Sequence, residues 1–388
     1  MMALKDLLER ADRLYRDWKL PSVHEWKART GGLAVGYMPV WVPREVLHAQ
    51  GVLPVGLMGA GEDLEIIRGD AYYQSYICHI PRSTIELALN GALDCLDGML
   101  FPAICDVIRN LSGIWKLTFK DKLVRYYDQP QDFDPKMGGV FVRHEIEALA
   151  ADLHARGAKK LEPEALRRSI EAFNENRRLI RGLYDLRREA PWKVPTHEVY
   201  VLLRAGLVIP VEEHTEMLKA YRAAVEADTT RRPLDQARVV LAGSFCEQPP
   251  LALLKTLERS GCYIVDDDLV QVHRWIQHDV PLSGEPLDAL VAASLSDAIP
   301  HPTRYSDGAT KGDDLVDRVR ASGAGGVLFC APSFCDPALL DQPMAIAAIE
   351  RAGIPWTAFK YAENGGQFQV IREQAGTFAD SIKLWSAA

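Results

Sequence analysis

The chain has 388 residues, of which 48% are hydrophobic and 25% are charged, and its formal net charge is -8. This length exceeds what one ordinary hydrophobic core needs, so we expect two domains with room for a helical insert. The acidic balance argues against a dedicated nucleic-acid-binding protein, which would present a basic face. It leaves open a local basic pocket for a phosphorylated small molecule.

The first eighteen residues predict an amphipathic surface helix rather than a signal peptide. Charged side chains such as Lys5, Arg10 and Arg13 interrupt the apolar core that a signal peptide would need. No apolar run along the chain approaches the roughly 18 residues that a membrane span requires. We therefore expect a soluble, cytoplasmic protein that does not associate with a membrane.

Two stretches of the sequence alternate short apolar runs with helical patterns. In the first, the strand candidates are 33–40, 51–58, 98–104 and 122–127, and the helical patterns are 43–50, 83–96 and 107–119. In the second, the strand candidates are 238–243, 262–265, 326–330 and 355–361, and the helical patterns are 250–260 and 337–352. Apolar strands joined by helical crossovers predict an α/β fold with parallel sheets covered on both faces.

The segment between these stretches is predicted to be mostly helical. Pro163 stands at a favourable first position of a helix, and Pro191 ends the apolar stripe that follows it. We therefore divide the chain into an N-terminal α/β domain at 1–140, a helical segment at 141–232 and a C-terminal α/β domain at 233–388.

The third predicted strand of each α/β stretch ends in a Cys-Asp pair. The first reads GMLFPAICD and contains Cys105, and the second reads GVLFCAPSFCD and contains Cys335. Open parallel sheets build their ligand sites beyond the carboxyl ends of the strands. Two sheets packed with these edges facing one another would bring Cys105 and Cys335 into one cleft.

Seven cysteines in a chain of this kind do not suggest a disulfide framework, and small buried side chains are the simplest interpretation for most of them. A [4Fe–4S] cluster would need a third thiolate beside Cys105 and Cys335. Cys78 is the best candidate, because it precedes a predicted helix whose N-terminal amides would stabilise a thiolate. Cys246, which also follows a strand, is the reserve ligand. Zinc held by Cys330 and Cys335 would require two more ligands that no local pattern supplies.

These residues resemble the 2-hydroxyacyl-CoA dehydratase D-component family, which includes the cluster-bearing subunits of ATP-dependent benzoyl-CoA reductase. The resemblance covers nearly the whole chain and is strongest at 70–111, 242–268 and 326–337. Its marks are the PAICD strand exit and the late FCDP. Within the family, the first two stretches look most like the C-type cluster subunit of benzoyl-CoA reductase.

The resemblance implies two flavodoxin-like domains that hold a [4Fe–4S] cluster through Cys78, Cys105 and Cys335. It also implies a heterodimer with a related cluster-bearing subunit. An ATP-hydrolysing iron–sulfur activator, itself supplied by ferredoxin, would feed electrons to this pair within a heterotetramer of an anaerobic pathway. The implied activity is reduction of an aromatic acyl-CoA to a cyclic dienoyl-CoA. Proton donors are suggested by position alone, namely His79, Arg109 and Glu247.

Three other functions remain open on the sequence. The chain could belong to a 2-hydroxyacyl-CoA dehydratase, which has the same fold and cluster but eliminates water. It could also be a non-catalytic partner that relays electrons to, or scaffolds, the substrate-binding subunit. Finally, all seven cysteines could be core residues of an iron-free α/β binding module.

Overall fold

The computed structural model describes residues 3–38, 40–61, 64–74, 76–246, 248–299, 311–362 and 368–386. Within these ranges the chain forms two four-stranded, all-parallel sheets with helices between and around them. This architecture confirms the predicted fold class, two doubly wound α/β units of the flavodoxin type. None of the described helices combines the length and the apolar character needed to cross a bilayer.

The first sheet contains strands β1 (Ala34–Tyr37), β2 (Leu53–Gly56), β3 (Gly98–Pro102) and β4 (Leu123–Tyr127) in the order β2-β1-β3-β4. Helices α1 (Leu4–Tyr15) and α2 (Pro21–Thr30) precede it, and α3 (Arg44–Ala49), α4 (His79–Leu89) and α5 (Asp106–Thr118) connect its strands. Every residue of β3 is buried, as expected for a central parallel strand covered on both faces.

The second sheet repeats this strand order as β6-β5-β7-β8. Its strands are β5 (Ala237–Ala242), β6 (Cys262–Asp267), β7 (Gly326–Pro332) and β8 (Trp356–Tyr361). Its helices are α10 (Leu251–Arg259), α11 (Pro286–Ser296), α12 (Asp313–Ser322), α13 (Asp336–Arg351) and α14 (Gln369–Ser386). All eight predicted strands are therefore confirmed, with ends that differ by a few residues.

Four helices lie between the two sheets in the chain, and they are α6 (Gly138–Ala155), α7 (Pro163–Glu189), α8 (Thr196–Ala205) and α9 (Val211–Ala227). Helix α7 starts at Pro163 and stops before Pro191, as the sequence predicts. The N-terminal helix α1 packs on α8 and α9 rather than on a sheet. The boundaries assigned to the three domains remain a prediction.

The predicted start and end of the helix at 83–96 are both wrong. The helix expected from residue 83 begins four residues earlier, at His79, because Pro81 lies in the first turn, where a backbone N–H is not needed. The same helix ends at Leu89, so Cys95 lies in the connection before β3 rather than inside a helix, although it is buried as expected.

Two buried ion pairs join helix α7 to both α/β units. The Arg177 guanidinium donates to the Glu45 carboxylate of α3 in the first unit, and both side chains are buried. Ten residues along the same helix, Arg187 donates to Asp267 at the end of β6, at 2.6 Å, and these side chains are only 1% exposed. Removing one partner of such a pair would leave an uncompensated buried charge. Helix α7 therefore fixes the position of one unit against the other.

Two neutral histidines, His214 and His273, complete this buried contact region. Their rings lie 5.1 Å apart, and each Nε2 donates to a carbonyl of α8. Nδ1 of His273 accepts from Arg44, and Nδ1 of His214 accepts from Asn176. Burial, with Arg44 nearby, lowers the pKa of His214 to about 3, and burial likewise holds the pKa of His273 well below its ordinary value.

We predict that the stability of the fold falls as the pH drops below about 6.5, because the two histidines stay neutral in the folded chain but become protonated in the unfolded chain. Each contributes a slope of about 1.4 kcal/mol per pH unit below that point. The substitution His214→Gln should remove one such slope, measured by urea unfolding between about pH 4 and 6. His144→Gln, on an exposed position of α6, is the control. An unchanged slope in His214→Gln would contradict the prediction.

Candidate metal centre

Three cysteines each occupy the residue that directly precedes a helix. Cys78 precedes α4, Cys105 precedes α5 and Cys335 precedes α13. The last two follow β3 and β7, which are the equivalent strands of the two sheets. In this strand order the chain reverses direction across the sheet next to these strands, and a crevice opens there beyond their carboxyl ends. Because each cysteine directly precedes a helix, its thiol lies at the positive end of that helix dipole.

The structure brings these three cysteines together and adds Cys246 to the group. The Cys105 and Cys335 thiols are near enough to interact electrostatically, although 230 residues of sequence separate them. Cys246, in the loop after β5, interacts with all three of the others. Cys246 and Cys335 are buried, whereas Cys78 and Cys105 are partly exposed. The cleft between the two Cys-Asp pairs stays a prediction.

Opposing effects act on the Cys105 thiol. Burial is the largest, and it raises the pKa of the thiol, as does the neighbouring Cys335. The backbone amides of Val107 and Ile108, in the first turn of α5, donate to the sulfur and act in the opposite direction. These amides are the groups that would stabilise a thiolate once a cation or cluster balances its charge.

The connection that carries Cys78 is held to helix α4 by buried acceptors. The Glu86 carboxylate accepts from the backbone amides of Ile67, at 3.0 Å, and Gly69, at 2.7 Å. The Ser83 hydroxyl accepts from Ala60 at 2.8 Å. Gly59 has a positive φ of 70°, and a Cβ atom there would come within 2.7 Å of the Ser83 hydroxyl. These contacts hold Ala60, Ile67 and Gly69 of the connection against α4.

The sequence did not single out Tyr73 from this connection. Its ring is buried, and its hydroxyl donates to the Val107 carbonyl at 3.3 Å. Burial raises its pKa, and the nearby Cys105 and Cys78 raise it further, so the phenol stays protonated. The signal that could have identified it is the presence of three tyrosines, Tyr72, Tyr73 and Tyr76, shortly before Cys78.

Two of the remaining cysteines are core residues, and the suggested proton donors differ in their burial. Cys262 and Cys330 are fully buried in β6 and β7, as core residues. His79 is buried at the first position of α4, beside Cys78. Arg109 is exposed on α5 and stacks over Tyr126, with 5.0 Å between the guanidinium carbon and the ring centroid. The third suggested donor, Glu247, lies outside the described residues.

The donor set fits an iron–sulfur cluster better than a single metal ion. All seven cysteines are described, and none forms a disulfide. Among the described histidine, cysteine, aspartate and glutamate side chains, no three are grouped closely enough to hold one ion. In a [4Fe–4S] cluster each thiolate binds a different iron, so the sulfurs stand farther apart than the ligands of one ion. Soft thiol donors at three helix N-termini suit such a cluster.

A cavity of about 830 Å³ lies at the carboxyl end of the second sheet. Phe245, next to Cys246, and Pro337, in the first turn of α13, belong to its wall. Aromatic rings of Trp41 and Tyr184 line it farther out, together with several arginine–aspartate pairs. This volume lies in the range of pockets that bind cofactor-sized molecules.

A family model described as 2-hydroxyglutaryl-CoA dehydratase, D-component, matches residues 39–382. The chain belongs to this family. It is 52% identical to the C-type subunit of benzoyl-CoA reductase from Thauera aromatica, over 99% of this chain and the whole of that protein. It is 29% identical to the beta subunit of lactoyl-CoA dehydratase from Anaerotignum propionicum, over 93% of this chain and 95% of that protein.

A further relative is the (R)-phenyllactyl-CoA dehydratase beta subunit of Clostridium sporogenes, which is 26% identical over 97% of this chain and all of its own length. The resemblance stated from the sequence is thereby confirmed. The members are subunits of reductases and dehydratases that act on CoA thioesters, so this chain is an enzyme subunit with partner subunits.

We predict that Glu86→Ala releases the connection before Cys78, because the amides of Ile67 and Gly69 would lose their acceptor at a cost of about 1–3 kcal/mol. Trypsin should then cleave after the exposed Arg68 about tenfold faster. The control is Glu164→Ala, on the exposed first turn of α7. Equal cleavage rates in Glu86→Ala and wild type would contradict the assigned role of Glu86.

Proposed function

We propose that this chain is the iron–sulfur subunit of an ATP-dependent benzoyl-CoA reductase, in which Cys78, Cys105 and Cys335 hold a [4Fe–4S] cluster. The observation that carries the proposal is the convergence of these thiols, each at a helix N-terminus, from parts of the chain as far apart as residues 78 and 335. The 52% identity to the C-type subunit of benzoyl-CoA reductase supports this substrate over the others of the family.

A cluster bound here would supply single electrons at a very negative potential to the thioester-activated ring. The residues of the chain would prepare the place for it. The helix amides at Cys105 stabilise negative charge on its sulfur. The buried surroundings of Cys246 and Cys335 would keep water away from that side of the cluster. His79 is the candidate proton donor by position, since it is buried next to Cys78.

The partners proposed for the chain follow from the same assignment. A related subunit with its own cluster would complete a heterodimer, and activator subunits that hydrolyse ATP would complete the heterotetramer. Ferredoxin would supply the activator in an anaerobic cytoplasm. A subunit of a 2-hydroxyacyl-CoA dehydratase is the second candidate, supported by identities of 26–29% to dehydratase subunits along nearly the full chain.

The cluster assignment predicts about four iron and four sulfide per chain after anaerobic reconstitution. The substitutions Cys78→Ala, Cys105→Ala and Cys335→Ala should each lose most of this iron, because each removes one of three protein ligands. Iron and acid-labile sulfide are measured chemically. Cys262→Ala, which removes a buried thiol at the start of β6 in the second unit, should keep its iron. Equal iron contents in wild type and Cys335→Ala would overturn the assignment.

The substrate assignment is tested with the chain in complex with its partner subunit and a competent activator. Benzoyl-CoA should yield a cyclic dienoyl-CoA with consumption of ATP, and a 2-hydroxyacyl-CoA should yield no enoyl-CoA, both followed by mass spectrometry of the thioesters. Elimination of water from the 2-hydroxyacyl-CoA without ring reduction would instead establish the dehydratase.

A further inference from the structure

Two largely buried turns, one from each α/β unit, pack against one another. The first turn, residues 40–44, follows β1, and the second turn, residues 270–275, follows β6. The rings of Trp41 and Trp275 meet at this contact edge to face, with 6.2 Å between their centroids and 76° between their planes. Trp41 is 2% exposed and Trp275 is 5% exposed. The contact therefore excludes solvent, and it joins segments that follow strands of different sheets.

Hydrogen bonds from Arg44 in the first turn hold the second turn in place. The Arg44 guanidinium donates to the Val272 carbonyl at 2.9 Å and to Nδ1 of His273 at 2.7 Å. The backbone amide of His273 donates in turn to the Val270 carbonyl at 3.2 Å. Arg44, Val272 and His273 are all buried, so the two bonds from Arg44 last only while the two turns stay together.

The backbone of both turns is strained. Among the described residues, four besides glycine have a positive φ, and three of them lie in these turns, namely Val40 at 69°, Trp41 at 54° and Val270 at 46°. A positive φ brings the Cβ atom too close to the carbonyl oxygen, and for a valine it is a genuine outlier. Such residues persist only where surrounding contacts impose them, and they cluster at ligand sites and switching segments. The strain is thus concentrated where the two units touch.

The same two turns form part of the wall of the 830 Å³ cavity. Trp41 lines the cavity from the first unit, and His273 and Arg274 line it from the second unit. Separation of the turns would therefore open the cavity wall. The two buried ion pairs of α7 involve no residue of either turn, so they would keep the units together when the turns separate.

We propose that the turns at 40–44 and 270–275 form a strained latch, which opens and closes the cavity wall while α7 keeps the two units together. In the closed state, the packing of Trp41 on Trp275 and the hydrogen bonds of Arg44 hold both turns in the left-handed conformation. In the open state the turns relax, so part of the free energy lost with these contacts is recovered. The latch therefore opens more readily than its buried contacts alone would allow, and both turns become exposed in one step.

The test is hydrogen–deuterium exchange of the full chain, followed by mass spectrometry of peptides from each turn. Val40→Gly is compared with Val40→Ala, because both lose the packing of the valine methyl groups and they differ in the strain of the turn. Glycine adopts a positive φ freely, so the closed latch should be more stable in the glycine variant. The turn at 270–275, in the other unit, should then exchange about fivefold more slowly in Val40→Gly than in Val40→Ala. The converse pair, Val270→Gly and Val270→Ala, should change exchange at 40–44 in the same direction.

The control pair is Leu20→Gly and Leu20→Ala, since Leu20 is the fourth left-handed residue and precedes α2, outside both turns. This pair should leave the exchange of both turns unchanged, and peptides of α7 should be unchanged in every variant. Slower exchange only in the turn that carries the glycine, or equal exchange in the glycine and alanine variants, would overturn the latch. A change of the same size in α7 would show unfolding of the whole chain instead of opening at this contact, and would overturn it as well.

Discussion

The arrangement of the candidate site depends on two buried arginine–carboxylate pairs on one helix. Arg177 and Arg187 lie ten residues apart on α7, about 15 Å along its axis, and they pair with Glu45 of the first unit and Asp267 of the second. A buried charge tolerates little displacement of its partner, because separation leaves both ions desolvated and unpaired. The helix therefore sets the distance between the two sheets. Since Cys105 and Cys335 project from different sheets, that distance decides whether their thiols meet.

The two sheets share a strand order, yet the site they form is not symmetric. The first unit contributes Cys105 at its strand exit and Cys78 from the long connection after β2. The second contributes Cys335 and, from the loop after β5, Cys246. Its own connection after β6 carries no cysteine and instead brings His273 into the buried contact with Arg44 of the first unit. The repeated topology thus supplies equivalent positions, and the connections decide whether these positions hold thiols or the contacts that join the units.

The cavity at the carboxyl end of the second sheet is bordered by charges that largely neutralise one another. Arg318 pairs with Asp266 and Asp268, and Arg274 pairs with Asp267. Nearby cations hold the pKa of Asp266 well below its usual range despite its burial. Breaking these pairs to bind an anion would cost the interactions that stabilise the end of β6. The arginines at the end of β6 are therefore paired with the carboxylates beside them.

The strands and most helices could be predicted because apolar periodicity and proline positions are local signals, as at Pro163 in α7 and throughout β3. The two Cys-Asp exits were found for the same reason, since parallel topology puts the ends of equivalent strands at one edge. The position of Tyr73 near Cys78 and Cys105 depends on contacts between distant segments, which the sequence pattern does not specify.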